Sequence, residues 1–340
     1  MRRIICWLIT GSVGLLFFAA TGHGATQELY YKGKMIRVIV GLSPGGAFDA
    51  YSRGLSRHMG KYIPGNPSIV VDNMPGGGSL IAANYLYKVS KADGLTIGNF
   101  SGPVLRGRVL GQKGIEFDAR KFEYIGTPVR FQYVCVLSRA SGIPDIEKWF
   151  GSKTPVKLGG IGLGVSTDNV IKVVRAALGL PIQLVSGYKG MADIRLATES
   201  GEIAGSCFGP RAVWRKSLDA GEVIPVLQIT PKPAPDFPNV PLAINLAKTE
   251  EARKLIEVGV HDDSAISSMY MMPPGTPKEL VAMLRKAMMD TIRDGDFLAE
   301  MKKASLEVDP LGGEEAEKII NDFFKLDAAL IGKLKEIYYK

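Results

Sequence analysis

The sequence predicts an α/β protein whose largely parallel sheets are covered by helices on both faces. Apolar strands, glycine-rich turns and helices follow one another repeatedly, and 340 residues suffice for two such units at roughly 100 to 200 residues per domain. The 40 glycines point the same way, because no collagen period or low-complexity run uses them and they gather in the turns. A composition of 46% hydrophobic and 22% charged residues excludes a disordered chain and a small disulfide scaffold.

The elements follow in order. Arg2 and Arg3 precede an almost charge-free run from Ile4 to Ala20 and small residues through Ala25, the layout of a secretory signal peptide over residues 1–25 with cleavage between Gly22 and Ala25. Thr10, Gly11, Ser12 and Gly14 make the run weak as a membrane span, an uncleaved anchor being the alternative. MIRVIV (35–40) then leads through GLSPGG into a helix from Phe48 to Lys61. SIVVDN (68–73) leads through MPGGG into a helix from Ser79 to Lys91, and LTIGNF (95–100) leads through SGP into another. Past the middle, PVKLGG (155–160) leads through IGLGV into TDNVIKVVRAALG, and GEIAGSCFG (201–209) precedes PRAVWRKSLDAG. Ligands of such folds sit at the carboxyl ends of the strands, where these turns lie.

Two composition shifts, at 125–132 and at the proline-dense ITPKPAPDFPNVP (229–241), mark crossings between domains, the second expected to run extended over a surface. They divide the mature chain into a first lobe of 26–127 plus 228–340 and a second of 128–227. After the second come a helix from Glu250 to Val258, the strand ISSMYMM (266–272), the turn PPGTP and a helix from Lys278 to Arg293. In the last segment Ile319, Ile320, Phe323, Phe324, Ala328, Ile331 and Leu334 fall at helical spacing, a core-facing stripe.

Several chemistries are excluded or weakened. Removing the signal takes two arginines and no acid, lowering the formal net charge from +8 to +6; the basic residues are scattered among acids, so nucleic acid is not an expected partner. Cys135 and Cys207 lie in apolar segments and are expected as buried thiols, although an oxidising compartment permits a bridge. Gly41-Leu42-Ser43-Pro44-Gly45 has the G-x-S-x-G form of a hydrolase nucleophile elbow. The residue after Ser43 is a proline without the N–H an oxyanion hole needs, so a secreted α/β hydrolase is only the alternative reading. The mature chain keeps His58 and His261; the latter, with Asp262 and Asp263, reads as a solvated loop, and no metal or cofactor site is expected. GGIGLGVS (159–166) lacks both the third glycine and the downstream acid of a dinucleotide motif. What remains is a set of glycine turns at helix starts, whose backbone donors can receive a carboxylate, or which are merely tight connections.

RVIVGLSPGGAFDAYSR (37–53), VVDNMPGGGSLIAANYL (70–86), KADGLTIGNFSG (91–102), GYKGMADIRLATESGEI (187–203), FPNVP (237–241) and PPGTP (273–277) together resemble the Bug family, the TctC-type periplasmic solute-binding proteins of tripartite tricarboxylate transporters. The resemblance implies a two-lobed type II periplasmic-binding-protein fold, no enzymatic activity, capture of a small carboxylate in the periplasm, and delivery to membrane permease subunits or presentation to a sensor kinase. It places ligand contacts at Pro44, Gly45, Gly46 and Asp49, at Gly76, Gly77 and Gly78, and at Gly162, Val165, Ser166 and Thr167. In that last turn the chain departs from the family pattern, with Val165 before the serine and Asp168-Asn169 replacing a more apolar pair. Asp49 also reads as a helix cap, and Tyr188 as either cleft wall or core. Phe48, Phe100 beside Ser101, Phe208 and Tyr188 stand at carboxyl ends of strands, where they would either form an apolar cleft unfavourable to a polyanion or pack into the sheets.

Overall fold

The structure, a computed structural model, describes residues 30–208 and 211–339; the expected signal peptide and its cleavage site lie outside the described residues. The strands are β1 (Met35–Val40), β2 (Ser68–Asn73), β3 (Thr96–Ser101), β4 (Glu123–Thr127), β5 (Val134–Ser138), β6 (Val156–Gly159), β7 (Ile182–Val185), β8 (Gly205–Ser206), β9 (Val223–Gln228), β10 (Ser268–Met272) and β11 (Leu311–Gly312). They form two sheets of order β11-β4-β10-β3-β1-β2 and β7-β6-β8-β5-β9. Helices flank both, giving the two-lobed α/β architecture.

Within the first sheet β2, β1 and β3 run parallel while β10 opposes both β3 and β4. Within the second, β7, β6 and β8 run parallel while β5 opposes β8 and β9. The reversed strands β5 and β10 are those the chain enters on passing from one sheet to the other. A strand entered from the carboxyl edge of its new neighbours must run against them.

Alternation along the strands covers both faces of each sheet. Ile36, Val38 and Val40 of β1, with Tyr270 and Met272 of β10, join one buried cluster; Ile39, Met269 and Met271 face a second. In β5, Cys135 and Leu137 face the first cluster and Val134 and Val136 a third. Among the described residues no helix is long and apolar enough to cross a membrane.

Several expectations change. The helix after β1 is Ala47–His58, prolonged by the 3-10 turn Met59–Tyr62, and the one after β2 is Leu80–Lys88. Among the described residues 201–208 only Gly205–Ser206 joins a ladder. The C-terminal stripe is two helices, Gly313–Phe323 and Ala328–Tyr339, interrupted where the Asp327 carboxylate accepts from the amide of Leu330 at 2.8 Å, an N-cap that starts a new helix. The cysteines are not free thiols. Antiparallel pairing of Val136 with Ser206 and Leu137 with Gly205 sets Cys135 opposite Cys207, and the two form a disulfide, both fully buried.

The proline-dense segment is not an extended connector. The buried Gln228 side chain holds it in successive turns, donating to the carbonyls of Phe237 (2.9 Å) and Val240 (2.7 Å) and accepting from the amide of Ala234 (2.7 Å). Beyond it, helix Glu250–Ile256 and helix Ala328–Tyr339 pack against helix Ser166–Leu178 of the second lobe. The Lys172 ammonium donates to the Tyr338 carbonyl at 2.7 Å and the Tyr338 hydroxyl to the Gly259 carbonyl at 3.0 Å. The segment between β9 and β10 therefore packs on a second-lobe helix before the chain joins the first sheet at β10.

That return passes through HDDS, which is no solvated loop. His261 closes a π-helical turn, Glu257–His261, and Asp262–Ala265 continues it. Asp263 pairs with the Arg106 guanidinium, each side chain 1% exposed. Arg106 also donates to the Val258 carbonyl at 3.0 Å. The other Asp263 oxygen accepts from Ser166 at 2.8 Å and Tyr133 at 3.2 Å, and Tyr133 meets Ser267 at 3.0 Å. Burial works against the Arg106 charge, but Asp263 together with Tyr338, Asp262 and Tyr133 more than restores it. Burial, then Asp263, push the Tyr133 phenol well above its ordinary value, so it stays a donor. Removing one partner of such a pair strands a buried charge. Asp263→Ala should cost about 3 to 5 kcal/mol in equilibrium denaturation, and Arg106→Met added to it should recover part of the loss; an unmoved midpoint would refute this.

His261 and Asp262 oppose each other in pH. Burial lowers His261 from 6.5 to about 4, so the unfolded chain protonates first and stability falls as pH drops through that window. Burial raises Asp262 from 3.8 to about 6, against the pull of Arg106, so its contribution is lost as pH rises from about 4 to 6. The slopes offset in the parent chain. Asp262→Asn should expose the histidine slope, with melting temperature falling more steeply than the parent's between pH 6.5 and 4; parallel profiles would contradict the assignment.

Candidate functional site

The carboxyl ends of β2, β1 and β3 stand side by side, and their turns are tied to one another. The Asn73 side-chain amide donates to the Leu42 carbonyl at 3.0 Å. Ser101 donates from its hydroxyl to the Gly78 carbonyl at 2.9 Å and from its amide to Ser79 Oγ at 3.2 Å. Ser79 lies over Gly41, where a Cβ would come within 2.6 Å of the serine side chain. Four successive residues, Gly76 to Ser79, have positive φ, from 57° to 139°, which bends the chain sharply into helix Leu80–Lys88. Beneath the turns, Asn99 bonds to Ser52 Oγ at 3.0 Å and Ser268 Oγ bonds to Asn99 at 3.2 Å.

The second lobe is built alike. The amide of Gly160 donates to the Val185 carbonyl at 2.9 Å and that of Tyr188 to the Gly160 carbonyl at 3.3 Å, while Ser206 Oγ donates to the Gly159 carbonyl at 3.0 Å. The turns after β6 and β7 thus share one edge with the carboxyl end of β8.

A device common to both lobes extends the cap expected at Asp49 to two further helices. In helices Ala47–His58, Ser166–Leu178 and Met191–Glu199 the third residue is an aspartate that reaches back to an amide of the turn before it. Asp49 accepts from Gly45 N–H at 3.0 Å, Asp168 from Gly162 N–H at 2.9 Å and Asp193 from Lys189 N–H at 3.2 Å. These are helix-start carboxylates satisfying exposed donors. The signal was legible as an acid at the same offset in three helices. Burial pushes the Asp49 carboxyl up, but Arg53 and the Gly45 amide outweigh it and hold it below its ordinary value, so Asp49 is ionised at neutral pH. Its cap reading is the one the geometry shows.

The predicted residues divide accordingly. Ser43, Pro44, Gly45 and Gly46 are exposed, as are Gly77 and Gly78, with Gly76 and Ser101 half-buried. In the second lobe Gly162 is half-buried and Val165 is exposed. The hydroxyls of Ser166 and Thr167 are used inside the protein, by Asp263 and by the Ile161 amide at 3.2 Å. Phe100 is a correction: it is fully buried in the second cluster, 6.4 Å from Phe122, so it packs the sheet and lines no cleft. Tyr188 is half-buried against the third cluster, its hydroxyl bonded to Glu202 at 2.6 Å and its pKa pushed up to about 12 by burial and then by Glu202.

Phe48 and Phe208 belong to a row of rings that connects the lobes. Phe131 lies 6.3 Å from Phe48 and 6.4 Å from Phe208, and Phe208 lies 5.2 Å from Tyr133. Phe131 and Tyr133, unmarked in the sequence because no strand end announced them, stand on the crossing between β4 and β5. Two cavities of about 580 and 450 Å³ lie elsewhere, along helix Glu250–Ile256 and the C-terminal helices. Among the described residues no cluster of three or more metal-ligating side chains occurs.

A sequence model described as the tripartite tricarboxylate transporter family receptor matches residues 52–335. No curated protein matches the chain. Similar solved structures include a TctC solute-binding protein from Polaromonas without ligand (16% identity, TM-score 0.69, covering 90% of this chain and 98% of that one). MatC from Rhodopseudomonas palustris with bound malate is 17% identical with a TM-score of 0.63, covering 90% of this chain and 99% of that one. Another R. palustris protein, with adipate, is 18% identical with a TM-score of 0.64, covering 89% and 96%. At these identities the likeness supports the fold.

Proposed function

Since the chain belongs to the tripartite tricarboxylate transporter receptor family, we propose that it is an extracytoplasmic solute-binding protein that captures a small carboxylate between its lobes and delivers it to the membrane permease subunits of such a transporter. The observation that carries this reading is the placement of two sets of glycine turns, one at the carboxyl edge of each sheet, joined by the row Phe48, Phe131 and Phe208. The first amides of a helix have no intrahelical acceptor, and those that follow Gly46 and Val165 are offered to the ligand, with Gly76, Gly77 and Gly78 and Ser101 completing the first-lobe side. Structures related in fold contain malate and adipate, which agrees with a carboxylate.

In this reading the signal peptide of residues 1–25 directs the chain to the periplasm. The lobes are 26–127 with the β10–β11 region, and 128–261 with the last helix riding on it. Presentation of the same liganded protein to a sensor kinase is a second use of one surface. Catalysis by Ser43 lacks support, because His58 is engaged with Glu300 at 2.9 Å and His261 belongs to the turn beside Asp263.

Gly46→Ala tests the backbone site cleanly. Gly46 has φ −84° and a Cβ there meets only the Ser43 carbonyl at 3.9 Å, whereas Gly77 has φ +57° and a Cβ would press on Leu80 at 3.0 Å. Gly46→Ala should leave the melting temperature near the parent's and weaken carboxylate binding by roughly tenfold to over a hundredfold. Equal affinity in calorimetry would move the site elsewhere. Ser43→Ala should keep binding, with no esterase activity before or after; a hydrolytic rate that the substitution abolishes would favour the hydrolase.

A further inference from the structure

Resting on that reading, we infer that the cleft selects a carboxylate with a single ionised group on a flat apolar body, and that Phe131 is the residue that selects the body. Two independent observations lead there.

The first is electrostatic. Three helix starts face the two sets of turns, and each carries its own aspartate. The amides of Gly45, Gly162 and Lys189 are already occupied by Asp49, Asp168 and Asp193. Asp49 and Asp168 are 4% and 2% exposed, so solvent screens them poorly; Arg53 offsets the charge of Asp49, while Asp168 is held by neutral donors, the Gly162 amide and the Thr167 and Ser186 hydroxyls. The guanidinium groups close to the first turn and the crossing are also engaged, Arg53 with Asp49 at 2.9 Å and Arg130 with Asp309 at 2.5 Å. Each additional carboxylate on a ligand needs its own donors and faces these fixed acids. The remaining amides suit one carboxylate better than three.

The second is the row of rings. Phe48 stands two residues after Gly46, and Phe208 two residues after the end of β8, so the row runs from the first-lobe turn to the second-lobe end, with both outer rings half-buried and Phe131 between them 9% exposed. Its middle member is rigidly placed. The Phe131 amide donates to the Ser264 carbonyl at 3.2 Å, and Tyr133 accepts at its carbonyl from the Ile229 amide at 2.8 Å. The neighbouring ring planes are tilted by 37° and 45°, and a flat apolar body can lie against them in offset contact. Phe131 belongs to neither turn, so it positions no carboxylate; it contacts the body alone.

The test is calorimetry on the full mature protein with benzoate, adipate and citrate. Benzoate should bind at least about tenfold tighter than citrate, with adipate between them. Phe131→Ala should weaken benzoate at least about tenfold and narrow its lead over adipate. Should that variant fail to fold, Phe48→Ser at the half-buried end of the row reads the same change. Asp49→Asn should narrow the benzoate-to-citrate ratio by about tenfold, which a purely structural role would not do. Citrate or adipate equalling benzoate, or ratios unmoved in both Phe48→Ser and Asp49→Asn, overturns this inference and leaves carboxylate capture standing. Binding of none of the three overturns the carboxylate reading itself, and this inference with it.

Discussion

The relation between the two lobes depends on one buried ion pair, Arg106 with Asp263. Arg106 follows β3 of the first lobe and Asp263 lies on the segment returning from the second. Ser166 reaches the same carboxylate from the start of a second-lobe helix, and Tyr133 reaches it from the outward crossing. Three parts of the chain, remote in sequence, converge on two oxygens of a fourth. A buried pair of this kind is no guarantee of net stability, because desolvation offsets much of the attraction. What it imposes is geometry: any arrangement that separates these groups leaves a charge without water or partner. The neighbouring bond from the Phe131 amide to the Ser264 carbonyl fastens the two crossings directly.

With the crossings fixed, the glycine turns become a paired device. Each sheet offers parallel strands whose carboxyl ends lead through glycine into a helix, and each of three helix starts is corrected by an aspartate at its third position. The aspartates stabilise turns whose donors would otherwise be underused, while lowering the capacity of those turns for foreign anions. Under the proposed function, stability of the turns and choice of ligand are therefore set by the same carboxylates. The disulfide between Cys135 and Cys207 adds a covalent link next to Phe208 and two residues from Tyr133, so the second-lobe end of the ring row is held where β5 and β8 meet.

Most of the architecture was legible in the sequence because it is local: β1, β2 and their turns depend on apolar runs, glycine and proline at fixed offsets. What escaped depends on contacts between distant segments. Phe100 and Phe48 look alike at strand ends, yet only the packing of Phe117 and Phe122 beneath the sheet decides that Phe100 is core. HDDS has a polar composition, and its burial follows from an arginine over 150 residues away. The prolines of 229–241 suggest an extended strap, but a single side chain, Gln228, gathers them. The cysteine pair required the register of β5 against β8, which no spacing in the chain encodes. Asp168 is the exception, since its offset matched Asp49 and could have been read as the same device.

The last helix has a consequence for how the molecule could be measured. Tyr31, near the beginning of the described chain, is tied to the first lobe through the Gly94 carbonyl at 3.1 Å. Helix Ala328–Tyr339 lies on the second lobe, bonded through Tyr338 to Lys172 and Gly259, although the helix before it packs on β4. The two ends of the described polypeptide are thus carried by different bodies. Their separation is a single distance that reports the angle between the lobes, so, if a ligand is captured between them as proposed, a pair of probes near the ends of the described chain would act as a ruler for that capture.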